Sequence, residues 1–212
     1  MKNQTKHHTA PRTTYALSCL LAMALLSLPS ALSAAADSPE SVAALKKLGA
    51  EIGINDEGAV DSVSFATVSN FTDDALAHLA GLKSMTRLNL DGLSVTDQGL
   101  KHLEKIPQLT SLRMSSTGIT DKGLAHLKNL SKLRSLSLTS TEITDKGLAQ
   151  LKALKSLQTL MLRKNAITDA GLKHLTHLPK LRSLRLSDTE VGDAGIDHLI
   201  KIKTLKTLTL KR

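Results

Sequence analysis

Apolar and polar positions along most of the chain repeat with a period of 24 residues. The clearest copy covers residues 120–143 and reads TDKGLAHLKNLSKLRSLSLTSTEI. Copies without gaps occupy residues 72–95, 96–119, 120–143, 144–167 and 168–191, and a shorter one occupies 192–212. A fixed internal period of this kind is the signature of stacked supersecondary units.

Each copy contains two kinds of hydrophobic spacing. Leu124 and Leu127 recur at helical spacing, whereas Leu136 and Leu138 alternate with Ser and Thr, as in a strand with one buried face. One copy alone buries too little apolar surface to offset the entropy of ordering its backbone. We therefore expect the copies to stack, with parallel strands on one side, helices on the other and a continuous leucine core between them.

The leucines at Leu133, Leu136 and Leu138, with their copies, resemble the L-x-x-L-x-L signature of leucine-rich repeats. The preceding I-T-D-x-G-L at residues 119–124 is similar to the repeats of exported bacterial proteins and to the cysteine-containing, F-box-associated subclass. This resemblance implies an α/β solenoid with a parallel concave sheet and convex helices.

The chain departs from that subclass in two respects. Its repeat is shorter, and only Asn165 keeps the amide at the position where the subclass has Cys or Asn. Threonine replaces it in three copies, at Thr117, Thr141 and Thr189. The fold tolerates these changes, but the resemblance does not extend to a subfamily with a known partner.

The pattern divides the chain into three segments. Residues 1–36 read as a signal peptide, with a basic start, an apolar stretch at 16–28 and small residues at 34–36. This indicates export to the periplasm or the extracellular space. The alternative is an uncleaved anchor, in which case the protein contacts the membrane. Residues 37–71 are expected to form an N-terminal cap, and residues 72–212 the repeat domain.

The cap is expected to contain a helix and a hairpin. The helix runs over residues 42–48, with Ser41 as its N-cap and Gly49 at its end. The hairpin joins residues 51–54 to 60–65, and its second strand leads into the solenoid, with Val63 in the place of Leu88.

Two polar features recur in register on the helices. The Thr-Asp pairs at 72–73, 96–97, 120–121, 144–145 and 168–169 are expected to cap helix starts. Histidines recur at His78, His102, His126, His174 and His198, interrupted by Gln150. Adjacent helices lie about 8–10 Å apart, whereas zinc needs its ligands at about 2 Å. The histidines therefore indicate partly buried helix flanks, and no metal site is predicted.

The outward positions of the predicted strands form a strip on the concave face, with five cations and one carboxylate. The candidate ligand-binding residues are Arg87, Asn89, Arg113, Ser137, Met161, Arg163, Arg185, Thr209 and Lys211. In leucine-rich repeats this face is the usual binding surface, so the resemblance implies a partner, and the charge favours an acidic one. The opposing interpretation is that Ser, Thr and Arg simply suit an exposed, soluble sheet.

The composition narrows the function further. Without the leader the formal charge falls from +9 to about +6 and the only aromatic residues are Phe65 and Phe71, so nucleic acid is not an expected partner. No phosphate loop, zinc signature or distinct catalytic set stands out, so we expect neither catalysis nor a cofactor. The first hypothesis is an exported protein-interaction module with an acidic partner. The alternatives are a binder of acidic polysaccharide or lipid phosphate at the cell envelope, and a structural spacer.

The C-terminal end lacks the polar terminal unit that solenoids usually have. Lys203, Lys206, Lys211 and Arg212 either protect this edge against strand addition or leave it free for self-association or for another protein.

Overall fold

The computed structural model describes residues 37–211, so the predicted signal peptide lies outside the described residues, as does Arg212. Within that range, strands alternate with short helices in one eight-stranded sheet whose strands follow chain order. The α/β solenoid predicted from the repeat is confirmed. No helix among residues 37–211 is long and apolar enough to cross a bilayer.

The elements recur once per repeat. The strands are β1 (Glu51–Ile54), β2 (Val60–Ser64), β3 (Arg87–Asn89), β4 (Ser111–Arg113), β5 (Ser135–Ser137), β6 (Thr159–Met161), β7 (Ser183–Arg185) and β8 (Thr207–Thr209). The α-helices are α1 (Pro39–Lys47), α2 (Asp121–Leu124), α3 (Asp145–Gln150), α4 (Asp169–Leu172) and α5 (Asp193–Leu199). The 3₁₀ helices are Asp73–Gly81, Gly99–Lys105, Ala125–Asn129, Leu151–Ala153 and Lys173–His177.

The sheet is parallel from β2 to β8, and each strand is offset from the next by one repeat. One leucine per strand stands in a single row, as in the pairing of Leu112 with Leu136 and of Leu136 with Leu160. Only β1 runs antiparallel, as the first strand of the hairpin with β2. Val63 pairs with Leu88, as predicted, so β2 is the first strand of the solenoid sheet.

The core is a continuous layer of aliphatic side chains between the sheet and the helices. Leu124, Leu127, Leu136 and Leu138 are all essentially inaccessible to solvent. Since the same positions are buried in the neighbouring repeats, each repeat completes its core only against its neighbours.

The N-terminal helix begins earlier than the sequence pattern predicted. Its N-cap is Ser38, whose hydroxyl accepts a hydrogen bond from Ser41 N at 3.2 Å, so the prediction of Ser41 as the cap was wrong. Pro39 occupies the start of the helix, where its fixed φ fits and its missing N–H costs nothing.

The Thr-Asp pairs do more than cap helices. The threonines of the last four pairs accept a hydrogen bond from the backbone two residues on, as expected of caps, for example Thr120 from Lys122 N. The aspartates instead accept from the next repeat. Asp97 accepts from Thr120 N at 2.9 Å and from Thr120 Oγ1 at 2.6 Å. The predicted helix capping is therefore confirmed for the threonines, whereas the hydrogen-bond donors of the aspartate lie one repeat further along the chain.

These hydrogen bonds between consecutive repeats also explain why glycine recurs near the start of each helix. A Cβ built at Gly99 would lie 2.3 Å from Asp73 Oδ1, and one at Gly147 would lie 2.2 Å from Asp121 Oδ1. Glycine leaves room at the helix start for the carboxylate of the preceding repeat, which a larger side chain would displace from its hydrogen bonds.

Candidate functional site

The sheet face is the outward side of the sheet, formed by the side chains that alternate with the core leucines. Two rows of this face follow directly from the strand register. One row contains Arg87, Ser111, Ser135, Thr159, Ser183 and Thr207, and the other contains Asn89, Arg113, Ser137, Met161, Arg185 and Thr209. A third row, just past the strand ends, carries Arg163 and Lys211. The nine candidate residues therefore share one face.

Three of the four arginines on the sheet face are engaged in ion pairs. Arg87 Nη2 lies 2.8 Å from Asp61 Oδ2. Arg113 Nε donates to Asp91 Oδ2 at 2.7 Å. Each pair is more than half exposed on the arginine side, so it contributes no more than about 1 kcal/mol to stability. Its effect on recognition is larger, because a neighbouring carboxylate offsets the charge that the arginine presents.

The third ion pair joins Arg163 to Asp188, with Nε and Oδ2 2.8 Å apart. Asp188 lies in the turn after β7 and has a left-handed backbone with φ of 56°. The equivalent turn position is also left-handed at Gly92, Ser116, Ser140 and Lys164. The turn directs the Asp188 side chain back towards β6, the neighbouring strand.

Neither Asp61 nor Asp188 was predicted on the sheet face, because the one carboxylate counted there from strand alternation is Asp91. Asp61 precedes the paired part of β2 opposite β3, and Asp188 lies outside the strand, so strand alternation alone does not place either on the sheet face. The repeat alignment offered one signal, since Asp is among the few residues that tolerate a left-handed turn position. The expected excess of five cations over one carboxylate becomes five over three.

The C-terminal part of the sheet face has a different character. A hollow of about 700 Å³ opens there, and its lining includes Met161, Arg163, Arg185, Thr209 and Lys211. Arg185 and Lys211 are exposed. Among residues 37–211, neither has a carboxylate within ion-pairing distance. Asp188 also lines this hollow and pairs with Arg163, which leaves Arg185 and Lys211 as its cations without an ion-pair partner in the described chain.

The N-terminal part of the sheet face contains a second hollow, of about 490 Å³. It is lined in part by Glu51, Asn89, Arg87 and Arg113, so its two arginines are the ones already paired with carboxylates. This hollow is electrostatically close to balanced, in contrast to the C-terminal one.

Ser137 does not have the exposure that the sequence analysis expected. Its side chain points to the sheet face but the residue is only 6% exposed. Its hydroxyl lies 2.8 Å from Ser115 Oγ and 3.8 Å from Met161 Sδ. Ser137 is therefore largely covered by its neighbours on the sheet face. A ligand would contact Met161 and the arginines, which are more exposed than Ser137.

The histidines lie along the helical side of the solenoid, away from the sheet face. His126 Nδ1 is 2.7 Å from Glu104 Oε1, and this hydrogen bond lowers the pKa of Glu104 below its usual range. Burial lowers the pKa of His174, and the positive charge of Lys173 adds to the effect. Within residues 37–211, no three His, Cys, Asp or Glu side chains converge as a metal site would require.

Comparison with known proteins agrees with this architecture. Family models described as leucine-rich repeat match residues 131–191 and 107–127. The structure is similar to an internalin of Listeria monocytogenes, with 26% identity and a TM-score of 0.54 over 62% of this chain and 36% of that one. It is also similar to internalin C2 of the same organism, with 28% identity and a TM-score of 0.53 over 64% of this chain and 55% of that one. The chain thus covers less than two thirds of either internalin, and no curated protein matches it by sequence.

Proposed function

Because the chain is a leucine-rich repeat protein, we propose that it is an exported, non-catalytic interaction module that binds an acidic protein partner through the sheet face. The observation that carries the proposal is the C-terminal hollow, where Arg185 and Lys211 present uncompensated charge beside Met161. Charged groups around a hollow steer an oppositely charged partner and fix its register. The apolar Met161 provides an adaptable contact at its centre.

The ion pairs indicate which of the nine candidate residues are available to bind an acidic group. An acidic group docking at Arg87, Arg113 or Arg163 would have to compete with Asp61, Asp91 or Asp188, respectively. At Arg185 and Lys211 it meets no such competitor within the described chain. We therefore propose that the acidic group of the partner contacts these two residues. Asn89, Ser137 and Thr209 are uncharged and contribute to the shape of the binding surface.

The first test is a double charge reversal, Arg185→Glu with Lys211→Glu. A partner is first captured by crosslinking in the native envelope and is then titrated against the purified full chain. We expect the double variant to lose at least about tenfold in affinity, because repulsion replaces attraction at the centre of the site. The matched control, Arg87→Glu with Arg113→Glu, reverses the same number of charges where they are already compensated, and it should lose about threefold or less.

Equal losses in the two variants would contradict the assignment to the C-terminal hollow. Binding that survives both reversals would contradict any role for the sheet face and would favour a structural spacer.

The alternative ligand is a polyanion, either acidic polysaccharide or lipid phosphate. A polyanion needs a continuous row of free cations, and the three ion pairs interrupt that row, so the described charges favour the protein partner. Salt titration separates the two ligands, because polyanion binding falls steeply with ionic strength and accepts varied chains, whereas a protein partner is singular and less sensitive to salt.

Export is the part of the proposal that depends on residues 1–36. The basic start, the apolar stretch and the small residues at 34–36 support removal of this segment. The intact mass of the protein isolated from its own cells should correspond to a chain that begins near residue 37. A mass that retains all 36 residues would instead support the uncleaved anchor, and with it contact with the membrane.

A further inference from the structure

The large apolar side chains that remain exposed in the described chain all lie at the two ends of the solenoid. These are Leu48 and Ile54 at the N-terminal end, and Ile200, Leu208 and Leu210 at the C-terminal end. The repeats between them expose no large apolar side chain. Exposed apolar residues confined to particular surfaces mark sites of association.

The C-terminal end exposes positions that belong to the core. Leu208 and Leu210 are 38% and 39% exposed, whereas their equivalents one repeat earlier, Leu184 and Leu186, are at most 1% exposed. The difference arises because β7 is covered by β8, while no strand among residues 37–211 lies beyond β8. Within the described residues, the apolar side chains of this last repeat are therefore only partly covered.

Ile200 adds an apolar residue where the earlier repeats are polar. It follows α5, at a position that Glu104, Lys128, Lys152 and Thr176 occupy in four of the other copies. Because these residues are half-buried or exposed, the change to isoleucine brings no benefit to the core of its own repeat. It adds an exposed apolar side chain to the last repeat, on its helical side.

The N-terminal end presents the complementary edge. Among residues 37–211, β1 is hydrogen-bonded only to β2, so no described strand pairs with its outer edge. Ile54 is exposed at the end of β1, and Leu48 is exposed at the C-terminal end of α1. A strand added here would extend the sheet, which is a common mode of recognition by backbone hydrogen bonds.

The two ends carry opposite charge. Residues 37–60 contain five carboxylates against two lysines, a formal charge of −3, and residues 192–211 contain four lysines against two carboxylates, a formal charge of +2. Glu51, Asp56 and Glu57 are exposed around β1, and Lys203, Lys206 and Lys211 are exposed around β8. Two C-terminal ends would repel each other, as would two N-terminal ends. An N-terminal end and a C-terminal end attract.

We propose that the C-terminal end of one copy docks on the N-terminal end of a second copy, so that β8 of one pairs with β1 of the next. The lysines near β8 then serve as complementary contacts for the acidic edge, and also prevent pairing between identical ends. A head-to-tail contact of this kind is heterologous, so it propagates into open chains unless the rotation closes a ring.

The experiment blocks one end at a time in the full chain. Ile54→Asp places a charge on the N-terminal end, and Leu208→Asp with Leu210→Asp places charges on the C-terminal end. Sedimentation velocity across a range of concentrations measures the mass, and circular dichroism melting checks that each variant folds. Ala125→Asp is the control, because it introduces the same charge at an exposed position of a middle repeat.

We expect the wild type and Ala125→Asp to increase in mass with concentration, less so at high salt, and both blocked variants to remain monomeric. The decisive sample is an equimolar mixture of the two blocked variants, because each retains the end that the other has lost. This mixture should form a one-to-one dimer and nothing longer. If the leucine double variant does not fold, Lys203→Glu with Lys206→Glu replaces it, with association at least about tenfold weaker than wild type.

Three results would overturn the proposal. A wild-type chain that stays monomeric at every concentration shows that the ends do not associate. A dimer formed by Ile54→Asp alone indicates pairing between identical C-terminal ends. Association that neither blocked end abolishes places the contact elsewhere, for instance on residues 1–36.

Discussion

At the scale of single residues, the aspartates of the Thr-Asp pairs are the groups that join one repeat to the next. Asp121 accepts from Thr144 N at 2.8 Å and from Thr144 Oγ1 at 2.6 Å. Asp145 does the same with Thr168, at 2.9 and 2.6 Å. Hydrogen bonds to a charged acceptor are stronger than those between neutral groups. Each carboxylate therefore fastens the helix start of the following repeat.

The last repeat lacks the threonine of this hydrogen-bond pattern, and this difference leads to a prediction about stability. Gly192 stands where the earlier repeats have threonine, so Asp169 receives only the backbone donor, from Gly192 N at 2.7 Å. The backbone of Gly192, with φ of −110° and ψ of −162°, is close to that of Thr120 and suits a side chain. Gly192→Thr should raise the free energy of unfolding by about 1 kcal/mol, through a new cap, a second hydrogen bond to Asp169 and a less flexible unfolded chain. Urea unfolding measures the change.

Gly192→Val is the matched control for this prediction, because valine has the shape of threonine without the hydroxyl. A valine variant as stable as the threonine variant would show that the hydrogen bonds contribute nothing.

Asn165 is the second residue that spans repeats. Its amide oxygen accepts from Thr141 Oγ1 at 2.8 Å and from Ile143 N at 3.1 Å, and its Nδ2 donates to Leu138 O at 2.6 Å. Thr117 and Thr189, at the same position of other repeats, donate only to a carbonyl three residues earlier. The amide therefore connects the two central repeats, whereas the threonines each close a turn within one repeat.

At the scale of elements, the glycine near each helix start allows consecutive repeats to pack closely. Gly99 begins the 3₁₀ helix Gly99–Lys105, and a Cβ there would be 2.3 Å from Asp73 Oδ1 and 2.5 Å from Asp73 Cγ. Ala75, the equivalent residue of the first repeat, has no such aspartate in a preceding repeat and tolerates its methyl group while buried. The crowding at this position is therefore caused by a side chain of the preceding repeat.

A double-mutant cycle on Gly99 and Asp73 tests this explanation. Gly99→Ala should destabilise the wild type by about 1–3 kcal/mol, because Asp73 must move and lose its hydrogen bonds to Thr96 N and Oγ1. In an Asp73→Ala background, the same substitution should cost at least about 1 kcal/mol less. Chemical denaturation of the four proteins gives the coupling. If the effects of the two substitutions on the free energy of unfolding are additive, the requirement for glycine does not come from Asp73.

At the scale of the whole molecule, His174 and Glu104 make the stability of the solenoid depend on pH. Burial holds the pKa of His174 below its ordinary 6.5, so the folded chain resists a proton that the unfolded chain accepts. Stability is therefore lost as the pH falls below about 6.5. The pKa of Glu104 is also lowered in the folded state, mainly by its hydrogen bond with His126, so its contribution is present above about pH 4.5 and is lost as the pH falls through the lowered value.

His174→Gln separates these two windows, since Gln150 already occupies the same position one repeat earlier. Between about pH 7.5 and about pH 5.5, the melting temperature of the variant should fall less than that of the wild type. Below about pH 4.5 the two proteins should lose stability in parallel, because Glu104 and His126 are unchanged. Identical slopes in the upper window would show that His174 does not titrate differently in the folded and unfolded states.

Whether a feature of the structure could be predicted from the sequence depends on how far apart along the chain the interacting residues lie. The parallel sheet, the leucine core and the shared face of the nine candidate residues follow from local periods of 2 and 24 residues, and each of these was predicted. The ion pair between Arg163 and Asp188, the burial of Ser137 and the contact of Gly99 with Asp73 were not. They join residues more than 20 positions apart, through a turn or a side chain that no local period describes.

The hydrophobic period of this chain was enough by itself to determine the solenoid, because a unit this small can bury its leucines only against a copy of itself. Charge is different, because the effective field of an arginine depends on which carboxylate the neighbouring strand or turn places beside it. Only the tertiary structure decided that Arg87, Arg113 and Arg163 are compensated and that the free positive charge lies at Arg185 and Lys211. The physical reason is that the same hydrophobic pattern recurs in every repeat, whereas charge compensation depends on which individual side chains the offset between repeats brings together.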